Sequence, residues 1–159
     1  MKKLLAVLAV GGMLMAIPSQ SEAQVGVRLG VSSVSGLVGV EYQSGNISGA
    51  VGYLRGDELR IPISVRYSLN TEGNTLWAAA SFITNNDVGY TADNWTAEWY
   101  STIGATVGYN MELGEALDLS LGAGYGVHTG MSEGALDAGL VNEAESGMVL
   151  IDLSLGYNF

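Results

Sequence analysis

The sequence predicts an all-β fold: a closed, eight-stranded, antiparallel up-and-down β-barrel that crosses a membrane. Three observations predict it. Apolar residues recur at every second position after residue 24, glycine-containing turns separate these runs, and the last run ends on the aromatic Phe159. Alternate side chains of a strand point to opposite faces. Because glycine and polar residues fill the alternate positions, the pattern suits lipid outside and a polar interior.

The N-terminus, residues 1–23, has the features of a secretory signal peptide. Two lysines precede the uncharged apolar stretch Leu4–Ile17, and Ser21-Glu22-Ala23 supplies a small-x-small cleavage site. That stretch is shorter than the roughly 20 residues of a spanning helix, which opposes the alternative of a membrane anchor. We therefore expect residues 24–159 to form the mature protein, as one barrel domain.

The first four strands are defined by alternation and by glycine turns. A turn at Ser44-Gly45-Asn46 separates strands two and three, and a turn at Glu72-Gly73-Asn74 follows strand four. Asparagine and glycine favour tight turns. The predicted strands are Val25–Val31, Val38–Tyr42, Ile47–Tyr53 and Leu59–Leu69.

The last four strands follow the same pattern, with one less regular member. Strand five, Thr75–Thr84, has unclear alternation because the residues of Leu76–Ala80 are all apolar. A Gly114-Glu115 turn separates strands six and seven. The other predicted strands are Ile103–Met111, Leu117–Val127 and Val149–Phe159.

The strand number and the connections agree with a membrane barrel. Strands of roughly 8–12 residues cross a bilayer at a tilt, and closure of an even number leaves no unpaired edge in lipid. The turns around the three glycines are short, whereas the connections at about Asn85–Glu98 and Gly130–Gly147 are long. We expect the short turns in the periplasm and the long loops outside the cell.

Aromatic residues support this orientation. Five of them stand at strand positions that point outward. They fall at the predicted periplasmic ends of strands two, four, six and eight, where amphipathic rings prefer the membrane interface. These membrane-interface aromatics are Tyr42, Tyr67, Tyr109, Tyr157 and Phe159. Candidates for an outer girdle are Tyr53, Phe82, Trp99 and Tyr125.

The architecture and the ending Leu153-x-Leu155-x-Tyr157-x-Phe159 resemble small eight-stranded outer-membrane barrels of the OmpX and OmpA transmembrane-domain type. The resemblance covers nearly the whole mature chain. It implies a monomer in the outer membrane of a Gram-negative envelope, in contact with lipid and lipopolysaccharide, inserted by barrel-assembly machinery that recognises Phe159. Proteins of this type include adhesion factors, structural tethers and a few lipid A-modifying enzymes, so the resemblance implies a structural or cell-surface interaction role.

Charged residues at strand positions that point inward predict a network of paired charges in the lumen. An eight-stranded interior is just wide enough to be filled by side chains, and buried charges must pair. We expect these residues to plug the barrel without an open pore, with Asp152 paired to Arg28 on the closing strand. Inward glycines leave room for arginines or for a small cavity. The network set is Arg28, Glu41, Arg60, Arg66, Glu112, Asp118 and Asp152.

The single histidine, His128, is a weak catalytic candidate. Ser132 and several acidic residues follow it, and histidine with a hydroxyl and a carboxylate is suited to acyl transfer. The alternative function is therefore a lipid A acyl hydrolase or transferase. The deacylase pattern has a serine two residues after the histidine, but this chain has Gly130 there. We predict no catalytic residue beyond this candidate.

Other features indicate few further functions. Cysteine is absent and the net charge is −10, which oppose disulfides and nucleic-acid binding. Arg55-Gly56-Asp57 is either an adhesive tripeptide or an ordinary hairpin turn. The acidic outer loops either bridge to lipopolysaccharide through cations or aid solubility; no calcium-type spacing is present, and we expect no metal or cofactor. A soluble, lipocalin-like periplasmic barrel is a third alternative, which the outward apolar residues oppose.

Overall fold

The computed structural model describes residues 23–55, 59–91, 94–131 and 147–159, so residues 1–22 of the predicted signal peptide lie outside the described residues. Each strand pairs antiparallel with the next, and the last pairs with the first, which confirms the predicted closed, eight-stranded up-and-down barrel. No helix in these ranges is long and apolar enough to span a membrane. The strands are β1 Ala23–Ser32, β2 Val38–Ser44, β3 Ile47–Arg55, β4 Leu59–Ser68, β5 Thr75–Thr91, β6 Asn94–Glu112, β7 Leu117–Met131 and β8 Gly147–Asn158.

Strand β8 shows how the sequence alternation becomes two faces. Its apolar residues Val149, Ile151 and Leu153 point outward and are 67%, 47% and 52% exposed. Asp152 and Ser154 point inward and are buried. Strand β5 follows the same rule, because Leu76 is exposed and Trp77 is buried. Its alternation is unclear in the sequence because both of its faces carry apolar side chains.

The two ends of the barrel differ. One, the short-turn end, carries the turns at residues 45–46, 69–74 and 113–116 together with Ala23 and Phe159; the opposite end is the far end. Gly45 adopts a φ of 57°, a left-handed conformation that favours glycine. The five predicted interface aromatics lie at the short-turn end. Tyr157 and Phe159 pack edge to face there, with ring centroids 5.0 Å apart.

The prediction of a long loop at Asn85–Glu98 is wrong. Strands β5 and β6 continue as a paired ladder as far as the Thr91–Asn94 pair. Backbone hydrogen bonds hold such a ladder together whether or not its side chains contact lipid, so the strands continue past the point where the apolar alternation ends. Of the other predicted loop, residues 132–146 lie outside the described residues.

The connection between β1 and β2 folds into the barrel, which the sequence did not predict. We call residues 33–37 the inner turn. Its Val34 is fully buried and packs with Trp77 and Ala79. The Ser32 hydroxyl accepts the Val34 backbone N–H at 3.0 Å, and the Ser64 hydroxyl donates to the Val34 carbonyl at 2.8 Å.

A glycine completes the inner turn. Gly36 has a φ of 79°, and a Cβ there would overlap the Tyr53 backbone. Both conditions favour glycine over any other residue at this position. The inner turn therefore depends on local backbone geometry as well as on the packing of Val34.

Inward glycines make room for large side chains of the interior. A Cβ on Gly108 or Gly122 would overlap the Trp77 ring, and a Cβ on Gly104 would overlap Leu150. The sequence suggested room for arginines or for a cavity. The residues that occupy these spaces are instead a tryptophan and a leucine.

We expect Gly122→Ala to lower the free energy of unfolding by about 1–3 kcal/mol, since the added methyl group overpacks the interior against Trp77. Gly114→Ala is the matched control, because no atom lies within 4 Å of its Cβ position. Urea unfolding of the refolded protein in micelles measures both variants. Equal stability of the two would contradict this account of the inward glycines.

Candidate functional site

Five charged side chains join across the lumen in one alternating series, Asp118–Arg28–Glu41–Arg66–Asp152, which we call the lumen network. Arg28 Nε bonds Glu41, and its Nη1 lies 2.8 Å from Asp118 Oδ1. Arg66 Nη1 lies 3.9 Å from Glu41 Oε1, and its Nη2 lies 3.4 Å from Asp152 Oδ2. These residues come from β1, β2, β4, β7 and β8, so the network ties together strands from opposite sides of the barrel.

Neutral side chains satisfy the remaining carboxylate oxygens of the network. Ser48 Oγ donates to Glu41. Ser120 and Ser154 donate to the two oxygens of Asp152 at 2.6 and 2.9 Å. All five charged residues are buried, and a buried ion pair is favourable only when such extra hydrogen bonds are made.

Trp77 connects the lumen network to the inner turn. The Arg66 guanidinium lies 4.3 Å from the centroid of the Trp77 ring, within cation–π range. Trp77 also packs with Val34 of the inner turn. The interior thus has a charged layer followed by an apolar layer on the way to the far end. On the short-turn side of the charged layer lies a polar cavity of about 100 Å³.

Two members of the predicted set lie apart from the lumen network. Glu112 is exposed at the short-turn end, where its backbone N–H donates to Asn74 Oδ1 at 3.0 Å. Arg60 is half-buried and lines a separate cavity at the far end, with Pro62 and Ile83. Inward parity alone therefore does not make a charged residue part of the network.

The predicted pairing of Asp152 with Arg28 is wrong. The register between the closing strands places Gly156 opposite Arg28 and Ser32 opposite Asp152. Four residues of a strand separate these two levels, about 13 Å at 3.3 Å per residue. Arg28 reaches Asp118 instead, and a Cβ on Gly156 would overlap that carboxylate.

His128 has a hydroxyl partner on the neighbouring strand. Its Nδ1 lies 3.0 Å from Thr102 Oγ1, and its ring meets Tyr100 edge to face at 5.0 Å. Thr102 pairs with His128, whereas Ser101 pairs with Gly130, so Thr129 forms a β-bulge. The sequence pointed to hydroxyls after the histidine, and Ser132 lies outside the described residues. The sequence did not predict Thr102 as a partner, because strand pairing and not sequence spacing brings it close to His128.

Several predicted features involve side chains that the structure does not describe. These are the tripeptide Arg55-Gly56-Asp57 and the acidic residues of the predicted outer loops. In the described ranges, no three His, Asp or Glu side chains are grouped so as to hold a metal ion.

No family model and no curated protein matches the sequence. Among solved structures, the fold is similar to that of Neisserial surface protein A (NspA), with a TM-score of 0.50. The match covers 86% of this chain and 92% of that chain, at 15% sequence identity. Such low identity shows the fold alone, a closed eight-stranded barrel. The resemblance to the OmpX and OmpA type stays a prediction.

We expect Arg66→Ala to lower the free energy of unfolding by about 3–5 kcal/mol, because it leaves the buried Asp152 carboxylate without its cation and removes one of the two cations of Glu41. Glu112→Ala, a control at an exposed residue of the same parity, should change it by no more than about 0.5 kcal/mol. Urea unfolding followed by heat-shift electrophoresis measures both. A similar small effect of the two variants would mean that the lumen network contributes little stability.

Proposed function

We propose that the protein is an integral outer-membrane β-barrel of a Gram-negative envelope, with a structural or cell-surface interaction role and no open pore. The observation that carries the proposal is the reversal of the usual burial pattern. Apolar side chains such as Val65, Val107 and Val149 are 58%, 66% and 67% exposed, while arginine and carboxylate side chains are buried. Exposed apolar surface of this extent is typical of contact with a membrane.

The aromatic residues support placement in a bilayer. Tyr67, Tyr109 and Tyr157 are exposed at the short-turn end, and Tyr53 and Tyr125 are exposed toward the far end. Two aromatic girdles that flank an apolar band match the interfaces of a transmembrane barrel. Phe159, 77% exposed, is accessible to the barrel-assembly machinery that we propose as its partner, and lipid and lipopolysaccharide would cover the apolar band.

The interior supports the absence of a pore. The lumen network crosses the barrel, and Trp77 and Val34, both buried, form an apolar cluster beside it. An ion would have to displace paired charges and an apolar cluster in turn. We therefore assign the protein a role in the envelope or at its surface. The similarity to a protein named for the neisserial surface supports that assignment.

A second candidate function is lipid A acyl chemistry at His128. The observation that favours it is the 3.0 Å contact between His128 Nδ1 and Thr102 Oγ1, the arrangement of a base beside a hydroxyl nucleophile. Thr102 is fully buried, which opposes attack on a bulky substrate. Under the main proposal the pair is structural.

Expression in a Gram-negative host should place the protein in the outer-membrane fraction, with heat-modifiable migration on gels. Reconstitution into planar bilayers should give no steady conductance, because the lumen network and the apolar cluster of Trp77 and Val34 fill the interior. Recovery as a soluble periplasmic product would contradict the membrane assignment and favour the lipocalin-like alternative. Steady ion currents would contradict the filled interior.

Lipid A mass spectra separate the two candidate functions. Cells that express the wild type, His128→Ala or Thr102→Val should all give the spectrum of the empty host, because the proposed role is not enzymatic. Loss or gain of an acyl chain with the wild type, abolished in both variants, would establish the enzyme and overturn the main proposal.

A further inference from the structure

The strands differ in how far they reach at the far end. Strand β1 ends at Ser32, which pairs with Asp152 of β8. One more residue of β8, Ile151, bonds through its backbone to Ser33 of the inner turn. The next four residues, 147–150, continue past β1 for about 13 Å at 3.3 Å per residue. In the described ranges, no strand pairs with this edge of β8.

The inner turn is the cause of this gap. Because the chain bends into the lumen at residues 34–36, between Ser33 and Leu37 of the wall, neither β1 nor β2 continues upward between β8 and β3. These two flanking strands are three strand spacings apart, about 14 Å. Among the described residues, the barrel wall therefore has an opening above the inner turn, which we call the side notch, with β8 on one side and strands β3 and β4 on the other.

A cavity of about 250 Å³ lies at the side notch. Inward residues line its inner part, among them Pro62, Ile83 and Met148. Outward residues Val149 and Ile151 line it as well. Since side chains of both faces border one cavity, the cavity passes through the wall and connects the lumen with the outer surface of the barrel.

The chemistry of the cavity is that of an amphiphile site. Pro62 and Ile83 are buried, and the lip residue Val149 is 67% exposed on the apolar outer surface. Arg60 supplies a cation. It lies on the same face of β4 as Pro62 and two residues closer to the far end, so charge and apolar surface are separated along the cavity.

The size of the cavity limits the ligand. Pockets for drug-sized molecules have about 300–1,000 Å³, so this cavity has room for part of one acyl chain and not for a whole two-chain lipid. We propose that the side notch binds a single-chain anionic amphiphile of the fatty-acid class, with its carboxylate at Arg60 and its chain against Pro62, Ile83 and Met148. The proposal rests on the proposed membrane location, from which the chain would reach the notch sideways.

Photo-crosslinking in nanodiscs tests the proposal. The mature protein is refolded into phosphatidylcholine nanodiscs and exposed to a fatty acid that carries a diazirine in its chain. We expect the crosslinked residues to include Ile83 or Met148. Ile83→Trp, which fills the cavity, should reduce this crosslinking at least fivefold. Ile103→Trp, a control on the outer face of β6, should leave it unchanged.

The headgroup preference has its own test. Arg60→Gln should reduce crosslinking of the fatty acid to the level of its methyl ester. Equal labelling by acid and ester in the wild type would overturn the assignment of Arg60. Labelling of the wild type at outward residues alone, such as Ile103 and Val107, would overturn the notch site even if Ile83→Trp fails to fold.

Heat-modifiable migration of the nanodisc sample is measured first. A protein that does not insert contradicts the proposed function, whereas an inserted protein without lumen crosslinks contradicts only the side notch. The two failures are therefore distinguishable.

Discussion

The structure depends on the pairing of charges that are buried in the lumen. Closing eight strands leaves an interior about as wide as its side chains, and an unpaired ion there costs several kcal/mol. The lumen network meets this constraint with two arginines and three carboxylates in alternating order. Because its members come from five strands, the same contacts that neutralise the charges also fix the relative positions of strands distant in sequence.

The inner turn links the interior to the shape of the wall. Val34 packs on Trp77, which in turn lies against Arg66, so the apolar and charged layers support each other. The backbone that enters the lumen is missing from the wall, and the side notch is the consequence. In the described part of the chain, the bend at Gly36 thus both fills the interior and leaves the wall open beside β8.

The sequence predicted the number and order of the strands because all but β5 repeat the same alternation, and β8 shows it in full. It did not predict the partner of Asp152, since pairing across a closed barrel depends on the stagger of all eight strands. Nor did it predict the direction of the inner turn: a short serine-rich segment with Val34 has no local signal that separates inward from outward. The glycines at 108 and 122 were visible as inward positions, but Trp77 as their occupant follows only from three-dimensional neighbours. The His128–Thr102 contact was missed for the same reason.

A double-mutant cycle on Arg66 and Asp152 measures whether paired charges hold the interior together. The variants are Arg66→Met, Asp152→Leu and their combination, and the measurement is the free energy of unfolding in urea. Arg66→Met leaves the buried Asp152 without its cation, and Asp152→Leu leaves Arg66 with Glu41 alone of its two carboxylates. The double variant removes both charges of the pair. We expect the double variant to lose less stability than the sum of the single losses, with a coupling energy of about 1–3 kcal/mol. Additive losses would contradict it.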